Sequence, residues 1–571
     1  MIQVRARRWM IAVAGAVVLG ACAAKPVTAG GEDVQVFVNA DVVTVDEAQP
    51  SAEAVAIREG RILAVGSAAD VLQLAGPGAE VRDLGGRTLV PGFIDAHGHL
   101  AIMAQVAAMA DLQPPPAGEV SSISELQAKL GEWRAAHPGA LAVTGFGYDD
   151  SLLAEARHPD RHDLDAVAAD VPVILLHTSA HFIACNSACL ALAGINAETA
   201  DPFGGVIRRE ADGVTPNGVL EETAMYLVLK HLPAPDQSMR IAGLAAAQTV
   251  YARAGITTVQ DGATTPQQVE DMRKAASEGA FYLDIVAYQH FADGTSIGED
   301  FTSSRAYDGH FRVGGIKLVL DGSPQGKTAW LTKPYVVPPQ GQETGSSGYG
   351  TYSDENVEAL LEEAHARGIQ VIAHVNGDRA IDQLLEFEGA ILATYQDQDV
   401  RTVAIHAQTA REDQLDRMVE LGVVPSFFAA HPFFWGDWHR DQVLGPERAA
   451  KISPLASAKA KGLAYTMHTD SPVVPADFMR LIWVAVNRET RSGQVLGAAE
   501  KADPHDALRA VTLNAARQYF EEADKGSITP GKRADLVVLS ANPLKVDPST
   551  IKDIRVLETI KDGRTVFGAE E

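Results

Sequence analysis

The sequence predicts an α/β protein in which a (β/α)8 TIM-like barrel carries a small β-sandwich domain built from both chain ends. Three observations lead to this prediction. The chain has 571 residues, of which 46% are hydrophobic and 21% charged, a balance typical of globular proteins with a large core. Short strands of alternating polarity lie at both ends of the chain. Between them, an amphipathic helix followed by an apolar strand recurs several times.

The first 33 residues have the features of an export signal followed by a tether. Three arginines between positions 5 and 8 precede an apolar run, and small residues then lead to Cys22. This order predicts a signal peptide over residues 1–21, too short to span a membrane. The segment "LGAC" resembles a bacterial lipobox, which would make Cys22 the lipidated first residue of the mature protein and residues 22–33 a flexible tether. The alternative is an ordinary cleaved signal with a chance cysteine. We therefore expect an exported protein, lipid-anchored to the bacterial cell envelope and facing the periplasm.

Charge and cysteine content restrict the partners of the chain. The formal net charge is −26 and no cluster of Lys or Arg follows the leader, which argues against nucleic acid as a partner. Contact with a membrane is expected only through the lipid anchor, and assembly into a homo-oligomer stays open. Cys185 and Cys189 are the only cysteines after Cys22, too few for a disulfide framework, and both are expected to be buried, inert thiols.

Both chain ends have the pattern of one small β-domain, over residues 34–90 and 526–571. The segments "VQVFVNADVVTVD", "AEAVAIREGRILAVG" and "KGSITPGKRADLVVLS" alternate apolar and polar residues between Gly, Asp and Asn turns. Residues 91–525 are expected to form the barrel. Turn residues are frequent at about 103–250, which predicts long insertions over the barrel mouth.

The repeating unit of the barrel is clearest in "SDENVEALLEEAHARGIQVIAH". Ser353 is an expected helix N-cap, Gly368 ends the helix, and the following strand finishes on His374. Other strands finish on polar residues as well, namely Asp261, His406, His431, His468 and Asp470. Because barrel enzymes have their active sites at the carboxyl ends of the strands, we expect the chemistry at these residues.

Two histidines one residue apart follow the apolar strand in "TLVPGFIDAHGHL". Residues i and i+2 of a strand face the same side, so His97 and His99 can converge on one metal ion. A pair of this kind is more often two exposed loop histidines. However, His374, His406 and Asp470 also end apolar strands, in an order compatible with successive barrel strands. Nitrogen and carboxylate ligands without cysteine suit Zn²⁺ and similar ions, and they argue against a purely structural zinc site.

Lys317 lies inside the apolar strand "FRVGGIKLVLDGS", where a free ammonium group is costly to bury. The Lys317 side chain could extend from an edge strand so that its ammonium group reaches water, or this group could pair with the nearby Asp321. Next to five candidate metal ligands there is a third interpretation. Reaction with CO₂ would convert the amine into a carbamate, an anionic group that can bridge two metal ions.

Six segments carry a resemblance to one enzyme family, in their order along the chain: "PGFIDAHGH", "GITTVQDG", "GIKLVLDGS", "HVNGDRAID", "HAQ" and "KGSITPGKRADLVVL". With them the chain resembles the metal-dependent amidohydrolase superfamily, in particular its N-substituted formamide deformylase-like branch, amidohydrolase family 3, over nearly all of residues 34–571. The resemblance implies two divalent metal ions, for which Zn²⁺ is the first expectation, bridged by a carbamylated lysine. The implied ligands are His97, His99 and Asp470 for the first ion, His374 and His406 for the second, and Lys317 between them.

The chain departs from this branch at two places. It has Ile405 where the branch commonly carries Glu before the histidine, and His468-Thr469 where the branch carries Gly-Ser before the aspartate. The ligands themselves are retained while their neighbours differ.

Three further side chains are candidates for substrate binding. By the same resemblance, His181 in "HTSAHFIACNS" would contact the substrate. His431 and Trp435, in "AAHPFFWGDWH", are placed to line the barrel mouth. His177 ends the apolar run "VPVILLH" but matches no ligand position of the family, so we expect it to be structural.

The ligand set predicts a metal-dependent hydrolase that cleaves the C–N bond of an amide or cyclic amide in a small molecule. Two cations would convert a bridging water into hydroxide near neutral pH and polarise the substrate carbonyl. Asp470 would be the catalytic residue that takes the proton and passes it to the leaving group. One alternative is an esterase, lactonase or phosphoester hydrolase on the same site. Another is a non-catalytic surface lipoprotein that binds a ligand.

Overall fold

A parallel sheet of eight strands, which neighbour one another in the order in which they occur along the chain, forms the centre of the protein. The computed structural model describes residues 34–231, 236–291, 296–339, 342, 344–395 and 398–569, so the expected signal peptide, the tether and Cys22 lie outside the described residues. From one edge to the other, the strands are β1 (Phe93–Ile94), β2 (Ile256–Thr264), β3 (Asp284–His290), β4 (Phe311–Val319), β5 (Gln370–Val375), β6 (Val403–His406), β7 (Val424–Phe427) and β8 (Thr466–Met467).

The two edges of this sheet meet beyond the strand ends. The His99 N–H donates to the Ser471 carbonyl over 2.8 Å, and the Asp470 N–H donates to the His97 carbonyl over 3.2 Å. The segments that follow β1 and β8 therefore lie side by side. A mixed α/β protein with a curled, parallel, eight-stranded sheet is thus confirmed, whereas full closure into a barrel stays a prediction.

Helices between and after the strands pack against the sheet and bury its apolar residues. All six residues of β5 are buried, as expected of a parallel strand that is covered on both faces. In the unit before β5, the Ser353 hydroxyl accepts the Asn356 N–H and caps the helix, and Gly368 follows the helix with a φ of 65°. The helices around the sheet are Leu100–Val106, Gln237–Arg253, Pro266–Ser277, Asp354–Ala366, Asp378–Leu392, Glu412–Leu421, His431–Trp438, Pro446–Ala449, Leu455–Ala460, Phe478–Asn487, Pro504–Ala510 and Leu513–Gln518.

Strands from both chain ends share a six-stranded sheet. Its strands in order are Arg564–Gly568, Val556–Lys561, Leu536–Leu539, Thr88–Pro91, Asp41–Val43 and Ser51–Ala52. A second sheet has four strands, Arg61–Gly66, Ala54–Arg58, Val34–Val38 and Glu80–Asp83, and the helix Ala68–Ala75 packs on it. The two sheets contribute to one apolar cluster, which includes Phe37, Val55, Leu89 and Leu536. The β-sandwich and the domain boundaries given above stay predictions.

The predicted insertion contains a separate six-stranded sheet, here called the insert sheet. Its strands in order are Gly205–Arg209, Pro216–Glu222, Phe182–Cys185, Val173–His177, Val143–Tyr148 and Ala110–Asp111. Its helices are Ile123–Ala136, Arg161–Asp165, Ser187–Ala193 and Tyr226–Leu229. Thr178 Oγ1 donates to the Val473 carbonyl over 2.9 Å, so the insert sheet lies against the segment after β8. Such short strands, separated by loops rich in Gly and Asp, carry too little periodicity to be recognised as a sheet from sequence.

Cys185 and Cys189 lie at the end of one strand of the insert sheet and in the helix that follows it. Both are fully buried free thiols, as the sequence predicts. Among the described helices, none combines the length and the apolar character of a bilayer-crossing segment.

Candidate metal centre

The six predicted metal ligands converge at the carboxyl ends of the central strands. They come from the segment after β1, from β4, β5 and β6, and from the loop after β8. They are His97, His99, Lys317, His374, His406 and Asp470. All are buried except His99, which is partly exposed. Strand order and strand length thus bring residues from distant parts of the chain to one place.

Asp470 and two imidazoles face one another on one side of the centre. His99 Nε2 lies 3.0 Å and His97 Nε2 lies 3.5 Å from Asp470 Oδ1. Lys317 Nζ lies 3.1 Å from the same His97 nitrogen. Asp470 Oδ1 is buried, and no described residue gives it a well-aligned hydrogen bond. A buried carboxylate oxygen surrounded by nitrogen lone pairs requires a cation, so the donor set fits a divalent metal ion.

His374 and His406 form the other side of the centre. His374 Nδ1 and His406 Nε2 are 3.0 Å apart. Zinc–nitrogen bonds are about 2.0–2.1 Å long, so two nitrogens at this separation can share an ion after a small adjustment. The ring centroids of His97 and His406 are 5.3 Å apart, and ligand atoms of His97, His406 and Asp470 all lie within 4.8 Å of one another. The two sides therefore adjoin, which supports the binding of divalent metal.

Burial gives these ligands the protonation states that metal binding needs. It lowers the pKa of His97, His374 and His406 well below that of a free imidazole, so each ring is neutral and has one lone pair. Burial also lowers the pKa of Lys317 to about 7, although the Asp470 carboxylate opposes this shift. The Lys317 amine is therefore largely neutral at a slightly alkaline pH, the state in which an amine reacts with CO₂.

Most of the chain is similar to one known protein family. The model of the amidohydrolase family matches residues 80–567. The chain belongs to the amidohydrolase family. The family resemblance inferred from the sequence motifs is therefore confirmed.

Two relatives and one solved structure show how far the similarity of this amidohydrolase extends. It is 31% identical to an N-substituted formamide deformylase from Arthrobacter pascens over 541 residues, which are 92% of this chain and 97% of that protein. It is 29% identical to the Protein LONG AFTER FAR-RED 3 of Arabidopsis thaliana over 526 residues, 88% of this chain and 86% of that protein. The crystal structure of an uncharacterized metal-dependent hydrolase from Pyrococcus furiosus shares its fold, with a TM-score of 0.67 and 24% identity over 90% of this chain and 100% of that one. These findings support a metal-binding hydrolase with a small-molecule substrate.

Hydrogen bonds select which imidazole nitrogen of the amidohydrolase faces the metal centre. His97 Nδ1 lies 2.5 Å from Gln260 Oε1, and the Gln260 amide is oriented by its Nε2, which donates to the Ala96 carbonyl over 2.9 Å. The His97 proton is therefore on Nδ1, and Nε2 keeps its lone pair. His374 Nε2 lies 3.2 Å from the Gly322 carbonyl, an acceptor, and 2.9 Å from Asn376 Nδ2, a donor, so these contacts do not select one tautomer of His374. Gln260 was not among the predicted site residues. The only feature of the sequence that could have indicated it is its polar side chain inside an apolar strand.

Two of the amidohydrolase's candidate ligands have a strained backbone. The φ angle is 70° at His406 and 57° at Asp470. Residues with a β-carbon rarely adopt this left-handed region, and each such residue costs on the order of 1–3 kcal/mol. At Asp470 the hydrogen bond from its N–H to the His97 carbonyl helps to hold the conformation. The surrounding fold therefore imposes these two orientations, as it does at many functional sites.

His181, the predicted substrate contact, lies beside the centre of the amidohydrolase. Its ring centroid is 4.9 Å from that of His374. His181 Nδ1 is 2.7 Å from Glu222 Oε2, at the end of the strand Pro216–Glu222. Burial lowers the pKa of His181, but the Glu222 carboxylate outweighs burial, and the pKa is raised overall. Glu222 was missed from sequence, because only the pairing of two antiparallel strands brings it to His181.

His431 and Trp435 pack against each other, with ring centroids 4.6 Å apart. Both side chains are buried. His431 Nδ1 lies 2.9 Å from His439 Nε2, and the Trp435 indole N–H donates to Asp149 Oδ2 over 2.6 Å. Both rings contact Phe428, which in turn lies against His406, with 5.9 Å between the ring centroids. A direct contact of His431 and Trp435 with substrate stays a prediction.

His177 lies in the insert sheet, outside the metal centre. Its Nδ1 is 2.8 Å from Ser179 Oγ, and its Nε2 is 3.1 Å from Asp150 Oδ1. Ligand atoms of His177, Asp149 and Asp150 also lie within 4.8 Å of one another. Both ring nitrogens of His177 thus have partners in loops that follow strands of the insert sheet, and the structural role of His177 stays a prediction.

Proposed function

We propose that this amidohydrolase cleaves the C–N bond of an amide or cyclic amide in a small molecule. The proposed centre holds two divalent ions, with Zn²⁺ as the first candidate because of the nitrogen-rich donor set. In this proposal His97, His99 and Asp470 hold one ion, and His374 and His406 hold the other. Lys317, as its carbamate, bridges them. The supporting observation is the convergence of these six buried or half-buried side chains, with Lys317 Nζ 3.1 Å from His97 Nε2.

The choice of a C–N bond is supported by the relative from Arthrobacter pascens, which is named an N-substituted formamide deformylase and is 31% identical. When bound, two divalent ions activate water as a nucleophile and polarise the substrate carbonyl. The chain itself moves the proton. Asp470 accepts it from the attacking water and donates it to the leaving nitrogen, which departs as a neutral amine.

His181 is proposed to bind the carbonyl oxygen of the substrate. Glu222 holds one ring nitrogen of His181, so the other nitrogen points away from this pair with its orientation fixed. A hydrogen bond to the oxygen on which negative charge develops lowers the barrier to attack. His431 and Trp435 are proposed to limit the size of the substrate from the side of Phe428.

A substrate panel on metal-reconstituted protein tests the proposed function. The panel contains N-substituted formamides, N-acyl amino acids, cyclic amides, esters, lactones and phosphoesters, each assayed after loading with Zn²⁺, Mn²⁺, Co²⁺ or Fe²⁺. We expect metal-dependent release of amine from at least one amide class, and the loss of most of this turnover in Lys317→Ala. Turnover restricted to esters, lactones or phosphoesters would contradict the C–N assignment. Ligand binding without any turnover would contradict the enzymatic role.

The location of the protein is a separate proposal. We propose that the chain is exported and anchored to the bacterial cell envelope through lipidated Cys22. It is supported by the arginine-containing, apolar leader and by the lipobox-like "LGAC".

A further inference from the structure

His468 lies directly after β8 and contacts the candidate ligand His406 at the ring nitrogen that does not face His374. His468 Nε2 is 3.1 Å from His406 Nδ1, and His468 Nδ1 is 2.9 Å from Ser426 Oγ in β7. Both His468 and Ser426 are fully buried. A hydrogen-bonded row, Ser426–His468–His406, therefore runs across three neighbouring strands and ends at the metal centre.

The two nitrogens of His406 face different partners. Nε2 faces His374 Nδ1 at 3.0 Å, on the side where the second ion is proposed. Nδ1 faces His468. An imidazole that ligates a metal through Nε2 must carry its proton on Nδ1, and this proton needs an acceptor. A hydrogen bond at Nδ1 therefore fixes both the tautomer and the orientation of the His406 ring.

We propose that His468 is a positioning residue for the second metal ion. It accepts the hydrogen bond from His406 Nδ1–H and so directs the lone pair of His406 Nε2 towards the ion. Ser426 Oγ accepts the hydrogen bond from His468 Nδ1–H and keeps the acceptor nitrogen of His468 turned to His406. This inference rests on the two-ion centre of the proposed function.

Metal affinity, measured without substrate, tests this inference. Wild type, His468→Ala, His468→Gln and Ser426→Ala are equilibrated in Zn²⁺ buffers set by competing chelators, and bound zinc is counted per chain. His365→Gln is the matched control, since His365 is equally buried but contacts Glu388 in the helical layer. Circular dichroism and thermal melting of each metal-free variant establish that it is folded.

We expect His468→Ala to weaken the binding of one zinc ion by about 10- to 100-fold, the range typical of the loss of a ligand-orienting partner. The affinity for the other zinc ion should stay within about twofold of wild type. His468→Gln should recover most of this loss, because its amide oxygen can accept from His406 Nδ1–H. Ser426→Ala should weaken the same ion by a smaller factor. If His468→Ala fails to fold, Ser426→Ala and His468→Gln decide the question: Ser426→Ala must weaken the binding of one ion only, and His468→Gln must stay close to wild type.

Three results would overturn the inference. One is wild-type affinity for both ions in His468→Ala, and another is an equal loss at both sites in this variant and in the His365→Gln control. The third is a wild-type protein that binds a single ion. Wild type that binds two ions with the expected variant pattern, yet hydrolyses no amide, would leave this inference standing and refute the proposed function.

Discussion

Lys317 Nζ lies 3.1 Å from His97 Nε2 in the buried centre. An ammonium group at this position would repel a metal ion bound by His97. A neutral amine would not, and a carbamate would attract two ions. The pKa of Lys317, lowered to about 7 mainly by burial, makes the neutral form accessible near physiological pH.

The first prediction concerns bicarbonate and pH. The neutral fraction of Lys317 rises with pH through about 7, whereas burial lowers the pKa of His97, His374 and His406 well below that of a free imidazole. We therefore expect bicarbonate to increase zinc incorporation more at pH 8 than at pH 6. Lys317→Ala should lose this increment and most of its activity, and a short carboxylic acid should restore part of both. Equal bicarbonate effects in wild type and variant would show that Lys317 is not carbamylated.

The second prediction concerns proton transfer by Asp470. Asp470→Asn keeps the shape of the side chain and removes its basicity. We expect it to fold, to retain at least one metal, and to lose about 10²–10⁴-fold in kcat for amides, the usual contribution of a positioned acid–base group. The loss should be smaller for activated esters, because their leaving group needs no proton. Near-normal amide turnover at full metal occupancy would remove Asp470 from this role.

The third prediction concerns the contact between Trp435 and Asp149. Trp435→Phe keeps most of the ring but deprives the buried Asp149 carboxylate of a donor at 2.6 Å. We expect a loss of about 1–3 kcal/mol in the free energy of unfolding, measured with denaturant. Trp438→Phe is the control, since Trp438 donates to the backbone carbonyl of Gln325 and no carboxylate depends on it. A smaller loss for Trp435→Phe than for the control would show that the hydrogen bond from Trp435 to Asp149 does not stabilise the fold.

The fourth prediction concerns a buried charge cluster. Lys525 Nζ lies 2.5 Å from Asp284 Oδ2 and 2.8 Å from Glu521 Oε2. Lys525→Met removes this partner from two buried carboxylates, which keep Lys561 and Arg312 as cationic neighbours, and we expect a loss of about 1–3 kcal/mol in unfolding free energy at pH 7. Lys459→Met, which breaks an exposed pair with Asp506, should cost about 0–1 kcal/mol. Similar losses of unfolding free energy in the two variants would show that the buried ion pairs of Lys525 stabilise the fold no more than an exposed pair does.

The pH dependence of this cluster follows from the same contacts. Burial lowers the pKa of Lys525, but the carboxylates, Asp284 first, outweigh burial and raise it overall. Its stabilisation is therefore complete below the pKa of lysine in the unfolded chain and is lost as pH rises above it. Burial raises the pKa of Asp284, but Lys525 and Lys561 lower it well below the ordinary value, so its contribution is lost only in strong acid. A stability difference between wild type and Lys525→Met that is constant from pH 5 to pH 9 would agree with this.

The fifth prediction concerns the anchor. Cys22→Ala should move the protein from the membrane fraction to the soluble fraction of bacteria that express it, since the acyl chains would have no attachment site. Cys185→Ala is the control, because its thiol is buried in the folded chain. Unchanged membrane association of Cys22→Ala would contradict lipidation at this residue.

Sequence alone was sufficient for those features that follow from local pattern. The strand ending on His374 and the helix capped by Ser353 are visible as a change from helical to strand periodicity, so the convergence of His97, His374 and His406 at strand ends could be expected. The contacts of His468 with His406 and of Glu222 with His181 could not, because they depend on which strands become neighbours. The insert sheet was hidden for a related reason, since its strands pair across loops of very different length.

The strand Thr88–Pro91 lies between Asp41–Val43 and Leu536–Leu539, and so unites the two chain ends in one sheet. During synthesis, this strand is made early, but one of its hydrogen-bonding edges has no partner until almost the entire chain has left the ribosome. The unpaired edge could meanwhile pair with another nascent chain. Native assembly of this sheet is thus a late event, and a premature stop before Leu536 would leave an aggregation-prone fragment even though every candidate metal ligand had already been translated.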